Sequence, residues 1–191
     1  MNSTVNSTEL GQALLQIARQ AISEELGVRY VVPSATLALP ELQQPGASFV
    51  TLTLTKNHAL RGCIGTLQAY RPLIEDVRGN AQAAAFLDSR FMPLKREEFA
   101  AVRVEVSLLT TPVPMPYASE ADALAQLRPG IDGVILESGW HRATFLPQVW
   151  EDLPEPQQFM THLKCKAGLP ADDWDASIQL SRYAVQKWKE A

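Results

Sequence analysis

From residue 7 to residue 27 the apolar positions Leu10, Leu14, Ile17, Ala18, Ala21, Ile22 and Leu26 recur at three- and four-residue steps. That spacing puts them on one face of a helix, and Gly27 is a natural stop. Residues 30–47 carry Pro33, Pro40, Pro45 and Gly46 with no sustained period, which predicts an extended surface connection with at most one edge strand. Residues 49–55 alternate Phe49, Thr51 and Thr53 against Val50, Leu52 and Leu54, the period of a half-buried strand. A turn at Lys56-Asn57-His58 returns the chain along residues 60–67, so the two runs predict an antiparallel hairpin. A helix follows from Pro72 to about Leu87, with Leu73, Ile74, Val77, Ala81, Ala84 and Ala85 as its stripe. After a short helical turn at 95–99, residues 102–109 read as a strand with Val102, Val104 and Val106 on one face and Arg103 and Glu105 on the other.

Pro112, Pro114 and Pro116 alternate through residues 111–116, a stiff extended crossing and the best boundary candidate in the chain. Ser119 followed by Asp122 has the pattern of a capped helix start, and that helix runs through Leu127 to a stop at Pro129-Gly130. Residues 133–137 and 142–146 form a second antiparallel pair around the turn dipeptide Ser138-Gly139. Pro154 and Pro156 open a helix whose Phe159, Met160, Leu163 and Ala167 share a face, and Gly168 closes it. Trp174, Ile178, Leu180, Tyr183, Val185 and Trp188 are expected to return to the main core. Strand pairs interleaved with separate helices, without a regular βαβ rhythm, define an α+β fold.

The chain has 191 residues with 46% hydrophobic and 20% charged content, enough apolar surface to build a core in one domain or two small lobes. A net charge of −4 offers no basic footprint and argues against a nucleic-acid partner. Apolar runs such as 102–109, interrupted by Arg103 and Glu105, fall far short of the roughly 20 residues a membrane span requires. Residues 1–7 are polar and lack the basic start and apolar run of a secretory signal, so the expected compartment is the cytoplasm. Cys63 and Cys165 lie in no CxxC or four-ligand pattern, and His162 with Cys165 would be only half a metal site; two free thiols and no metal are expected.

The chemistry concentrates at Leu60-Arg61-Gly62-Cys63-Ile64-Gly65-Thr66, where two glycines interrupt a strand its neighbours favour and mark a bulge or a close backbone approach. In a regular strand Arg61, Cys63 and Gly65 share one face, and Leu60, Gly62 and Ile64 the other, with Arg61 and Cys63 roughly 6–7 Å apart. A guanidinium beside a partly exposed thiol supplies an anion-binding group and a nucleophile. The plainer alternative is a small buried cysteine beside a surface arginine.

This segment resembles the hallmark of the AMME chromosomal region protein domain family, called AmmeMemoRadiSam system protein A in bacteria and archaea. The resemblance extends through Leu87-Asp88-Ser89-Arg90-Phe91-Met92-Pro93 with Arg96-Glu97-Glu98, then Val106-Ser107-Leu108-Leu109, Gly133, residues 143–149 and Lys166-Ala167-Gly168, covering roughly 48–188. It implies one domain over residues 1–191 with two unequal lobes, each holding a mostly antiparallel sheet with packed helices, and a groove between them faced by the hallmark strand. The larger lobe would hold both termini, with the smaller inserted mid-chain and one crossing near 110–117. The resemblance implies no established reaction and no known cofactor; it makes Memo-like and radical-SAM proteins plausible pathway partners.

Three functions compete. The first is binding or catalysis on a small anionic ligand in the groove between the lobes, with Arg61 and Cys63 as catalytic candidates for cysteine-dependent or redox chemistry. Its ligand contacts would come from Leu60, Gly62, Ile64, Gly65, Thr66, Asp88 and Arg90. The second is a non-catalytic adaptor that docks a partner protein, favoured if Trp140, Phe145 and Trp150 are exposed. The third, a nucleic-acid-associated regulator, is disfavoured by charge.

Overall fold

The apolar stripe at the start of the chain forms the helix α1 (Ser7–Glu25), along which Leu14, Ile17, Ala18, Ala21 and Ile22 are fully buried. The computed structural model describes residues 7–191, so the polar opening stretch weighed against a leader lies, up to residue 6, outside the described residues. Residues 30–46 depart from expectation. In place of an edge strand they make a single helical turn, α2 (Ser34–Leu37), and a 3-10 turn, Pro40–Gln43, which buries Leu42. Pro33 and Pro40 stand at the starts of these turns, where a missing N–H leaves no bond unmade.

The predicted hairpin is β1 (Ala47–Leu54) against β2 (Leu60–Gly65), followed by α3 (Leu73–Phe86), a 3-10 turn at Arg96–Ala101, and β3 (Val102–Leu109), which pairs antiparallel with β1. With β8 (Val185–Lys189) these strands form a sheet of order β2-β1-β3-β8. Helices α1 and α3 pack on one face of it, and Val50, Leu52, Val77, Val104 and Val106 are fully buried in the resulting core. Each such side chain contributes about 1.5–3 kcal/mol.

A buried carboxylate fastens α3 to the hairpin. Asp76 is fully buried and accepts hydrogen bonds from Ser48 N (2.9 Å), Ser48 Oγ (2.7 Å), Thr66 Oγ1 (2.7 Å), Asn80 Nδ2 (2.9 Å) and Arg71 Nε (3.0 Å). The start of β1, the residue after β2 and the first turns of α3 therefore meet on one charge, which burial would otherwise penalise heavily.

The described chain falls into two compact units, one ending at Leu109 and resuming at Gln186–Ala191, the other Thr110–Val185. The second contains β4 (Val113–Pro114), α4 (Glu120–Gln126), β5 (Gly133–Ser138), β6 (His141–Phe145), α5 (Pro156–Ala167) and β7 (Gln179–Tyr183), with a sheet of order β4-β7-β5-β6. Its core stacks Trp150 on Phe159 at 3.8 Å between ring centroids. Ser119 caps α4 by accepting from Asp122 N at 3.2 Å, and Gly168 ends α5 in the left-handed conformation. The last segment corrects an expectation: Trp174, Ile178 and Leu180 pack in the second unit's core, and Trp188 alone of the large side chains there joins the first. Their apolar pattern is the same in both places; only the sheet that receives each strand separates them. Among the described residues no helix is long and apolar enough to cross a membrane.

Candidate functional site

Cys63 stands opposite Thr51 in the β1–β2 register. Its N–H donates to Asp88 Oδ2 at 2.9 Å and its C=O accepts from Arg90 Nη2 at 3.3 Å, so both main-chain groups point away from β1 toward the free edge of β2. Antiparallel pairs of that kind are the close, non-hydrogen-bonded ones. The two side chains accordingly touch, with Thr51 Oγ1 donating to Cys63 Sγ at 3.3 Å.

Asp88 and Arg90 thus act as a side-chain surrogate for a neighbouring strand, satisfying an edge that would otherwise be open. Arg90 donates to Asp88 through Nε at 2.9 Å, Nη2 at 2.7 Å and its own main-chain N–H at 3.2 Å. The Arg90 guanidinium, helped by the Cys63 N–H, holds the Asp88 carboxyl well below the usual carboxylate range. Asp88 in turn raises Arg90, to which the nearby Cys63 adds.

Arg61 does not follow the regular alternation. Leu52 pairs with Gly62 and Thr53 with Leu60, so Arg61 is the extra residue of a β-bulge, a feature that re-aims side chains. Its guanidinium runs to Glu98 of the 3-10 turn, through Nε at 3.0 Å and Nη2 at 3.1 Å, and lies 5.9 Å from the ring centroid of Phe91. Arg90 approaches the same ring at 5.5 Å. Arg61 is only 9% exposed, yet its Nη1 has no hydrogen-bond partner among the described residues. Glu98 is held below its ordinary value, chiefly by Arg61.

The remaining residues of the segment have separate duties. Gly62 faces α3 so closely that a Cβ there would lie 2.1 Å from the Ala84 carbonyl oxygen, and a Cβ on Gly65 would lie 2.1 Å from the Phe49 ring. The room these glycines leave is taken by a helix backbone and an aromatic ring. Ile64 packs on the first core, and Thr66 belongs to the Asp76 network. Leu60, displaced by the bulge, is 41% exposed rather than anchored inward.

Of the candidate residues, then, Cys63, Asp88 and Arg90 meet directly, and Arg61 joins them through Phe91. Sequence reasoning missed Thr51, and it read Phe91 and Glu98 only as parts of matching motifs, not as residues of the site. Thr51 was accessible in principle, since hairpin register sets it opposite Cys63; Glu98 was not, because only the bulge directs Arg61 to it. The Asp76 network was also missed, although Asp76 and Asn80 repeat at i, i+4 beside the apolar stripe of α3. Cys63 is half-buried, whereas Cys165 and His162 are both exposed on α5. Among the described residues no three His, Cys, Asp or Glu side chains gather as a metal cluster. Trp140 is fully exposed, but Trp150 is buried and Phe145 half-buried, so no apolar surface joins the three.

Two α+β units built on four-stranded sheets, the first with a cysteine on a charge-capped strand edge, define the class of protein. The chain belongs to the AMMECR1 family, whose model matches residues 15–188. A protein of Methanothermobacter thermautotrophicus is 39% identical over 191 residues, covering 96% of each chain. One from Aeropyrum pernix is 38% identical over 187 residues, covering 94% of this chain and 78% of its own. The crystal structure of an uncharacterized protein, PH0010, from Pyrococcus horikoshii is similar with a TM-score of 0.75 and 34% identity, over 95% of this chain and 92% of that one.

Proposed function

We propose that this protein binds a small anionic molecule at the Cys63 edge of its first unit, with Arg61 and Arg90 supplying positive charge and the Cys63 thiol in contact with the ligand. The observation that carries this reading is Arg61 Nη1, a buried guanidinium nitrogen without a partner among the described residues. An unsatisfied buried donor costs about 1–3 kcal/mol, more when charged, and a ligand carboxylate or phosphate oxygen would remove that cost. Arg90 adds a cation whose side chain is 54% exposed beside the thiol.

The test is unbiased metabolite capture by the wild type, by Arg61→Ala and by Arg90→Ala. One or more anionic metabolites should be retained by the wild type and lost from both variants, with folding verified by circular dichroism. Retention unchanged in both folded variants, or no anion captured by the wild type, overturns the reading.

An adaptor function draws on one observation at the same turn. Leu87 and Met92, on either side of the Asp88–Arg90 cap, are 75% and 78% exposed. Two large apolar side chains there suit a protein partner. Loss of a captured protein on Leu87→Ser with Met92→Ser, with no metabolite retained by any form, would place this reading first. Memo-like and radical-SAM proteins are the partners to include in that experiment.

A further inference from the structure

The second unit contains a cavity of about 750 Å³ lined by residues 114–120, 174–176 and 178–181, none of which belongs to the Cys63 site. Cavities of this size suit small molecules. Its wall is aromatic: Tyr117 and Trp174 pack with ring centroids 5.2 Å apart, and the Tyr117 hydroxyl donates to the Ile178 carbonyl, which keeps that ring in place. The charged residues of the lining are Glu120 and Asp175, both acidic.

Behind this wall is a lysine that the fold does not otherwise explain. Lys164 is 1% exposed, donates to Glu120 Oε1 at 3.1 Å and lies 5.6 Å from the Trp174 ring centroid. Its ammonium does not line the cavity; it fixes the carboxylate and the indole that do. Glu120 itself lines the cavity, and its side chain stays 32% exposed while Lys164 holds one of its oxygens. At Asp175 one oxygen accepts from Ser177 N at 2.7 Å and Ser177 Oγ at 2.6 Å, which fixes this second carboxylate in the lining.

We infer that this cavity binds a small organic cation, an amine or guanidinium carried on an apolar or aromatic body, with the charge at Glu120 and the body against Trp174 and Tyr117. Two carboxylates against one buried ammonium leave the site negative, and aromatic faces attract cations as well as apolar groups. An anion would meet no exposed positive group in the lining. The inference is independent of the Cys63 reading.

The test uses the full ¹⁵N-labelled chain and three probes of like size: 2-phenylethylamine, 2-phenylethanol and phenylacetate. At millimolar concentration the amine should shift the Trp174 indole N–H and the amides of Ser119, Glu120 and Ile178. It should bind about tenfold more tightly than the alcohol, the equivalent of one modest charge interaction. Phenylacetate should leave those signals in place. Glu120→Gln should reduce the amine to the affinity of the alcohol. Because that variant strands the buried Lys164, the charge series on the wild type decides by itself, with Trp174→Leu as the second variant. An amine that shifts none of these signals, an acid that binds as well as the amine, or amine binding unchanged in folded Trp174→Leu would overturn the inference.

Discussion

Replacing Gly62 by alanine asks whether the glycine serves the fold or a ligand. The added Cβ would lie 2.1 Å from the Ala84 carbonyl oxygen, a main-chain atom in the last turn of α3. Restoring an ordinary contact requires about 1 Å of separation between β2 and the helix. The helix is poorly free to give it, since Asp76 and Asn80 bind its first turns to Ser48 and Thr66. Overpacking of this kind costs about 1–3 kcal/mol, and the gain from a less flexible unfolded chain returns at most about 1 kcal/mol. We expect a net loss near 2 kcal/mol, confined to the first unit.

Two units need not unfold together, so the assay is native-state hydrogen exchange, with the Val50 and Val104 amides reporting the first unit and Leu136 the second. Protection should fall about thirtyfold at Val50 and Val104, the equivalent of 2 kcal/mol, with little change at Leu136. Gly65→Ala is the control: its Cβ meets the half-buried ring of Phe49, a side chain that can turn, and should cost less. Protection unchanged by Gly62→Ala would refute the close-approach argument and return the glycine to a ligand role.

Asp76→Ala should destabilise the first unit by about 3–5 kcal/mol in denaturant titration, because it leaves Ser48, Thr66 and Asn80 without their shared acceptor. Asp88→Ala should speed exchange of the Cys63 amide by at least about tenfold, the loss of one charge-assisted hydrogen bond, while amides of β3 keep their rates. Glu98 is held below its ordinary value by Arg61, so its contribution to stability is present above the unfolded carboxylate pKa of about 4.3 and is lost as pH falls through the lower folded value. Wild type should therefore exceed Glu98→Gln in stability at neutral pH, and the gap should close under acid; a gap that widens under acid would contradict the Arg61–Glu98 assignment.

The sequence by itself determined the elements. Period 3.6 in residues 10–26, period 2 in 49–55 and 102–109, and glycine or proline at the breaks depend on local sterics and on which side chains avoid water, so they can be read along the chain. The α+β class followed from their order, and family membership from ordered motifs that need no geometry. Residues 30–46 marked the limit of that reading, since proline-rich spacing fits a helical turn as well as an extended strand.

The site was decided by tertiary structure. Cys63, Asp88 and Arg90 were legible as candidates, but not the arrangement in which the last two cap the main chain of the first, 25 residues away. Arg61 was read onto the face of Cys63, and one extra residue in β2 sent it to Glu98 instead. Likewise the glycines announced a close approach without naming Ala84 or Phe49 as what approaches. Side-chain periodicity is set by neighbours along the chain; bulges, edge caps and the company a charge keeps are set by contacts between segments distant in sequence, and only the folded molecule brings those together.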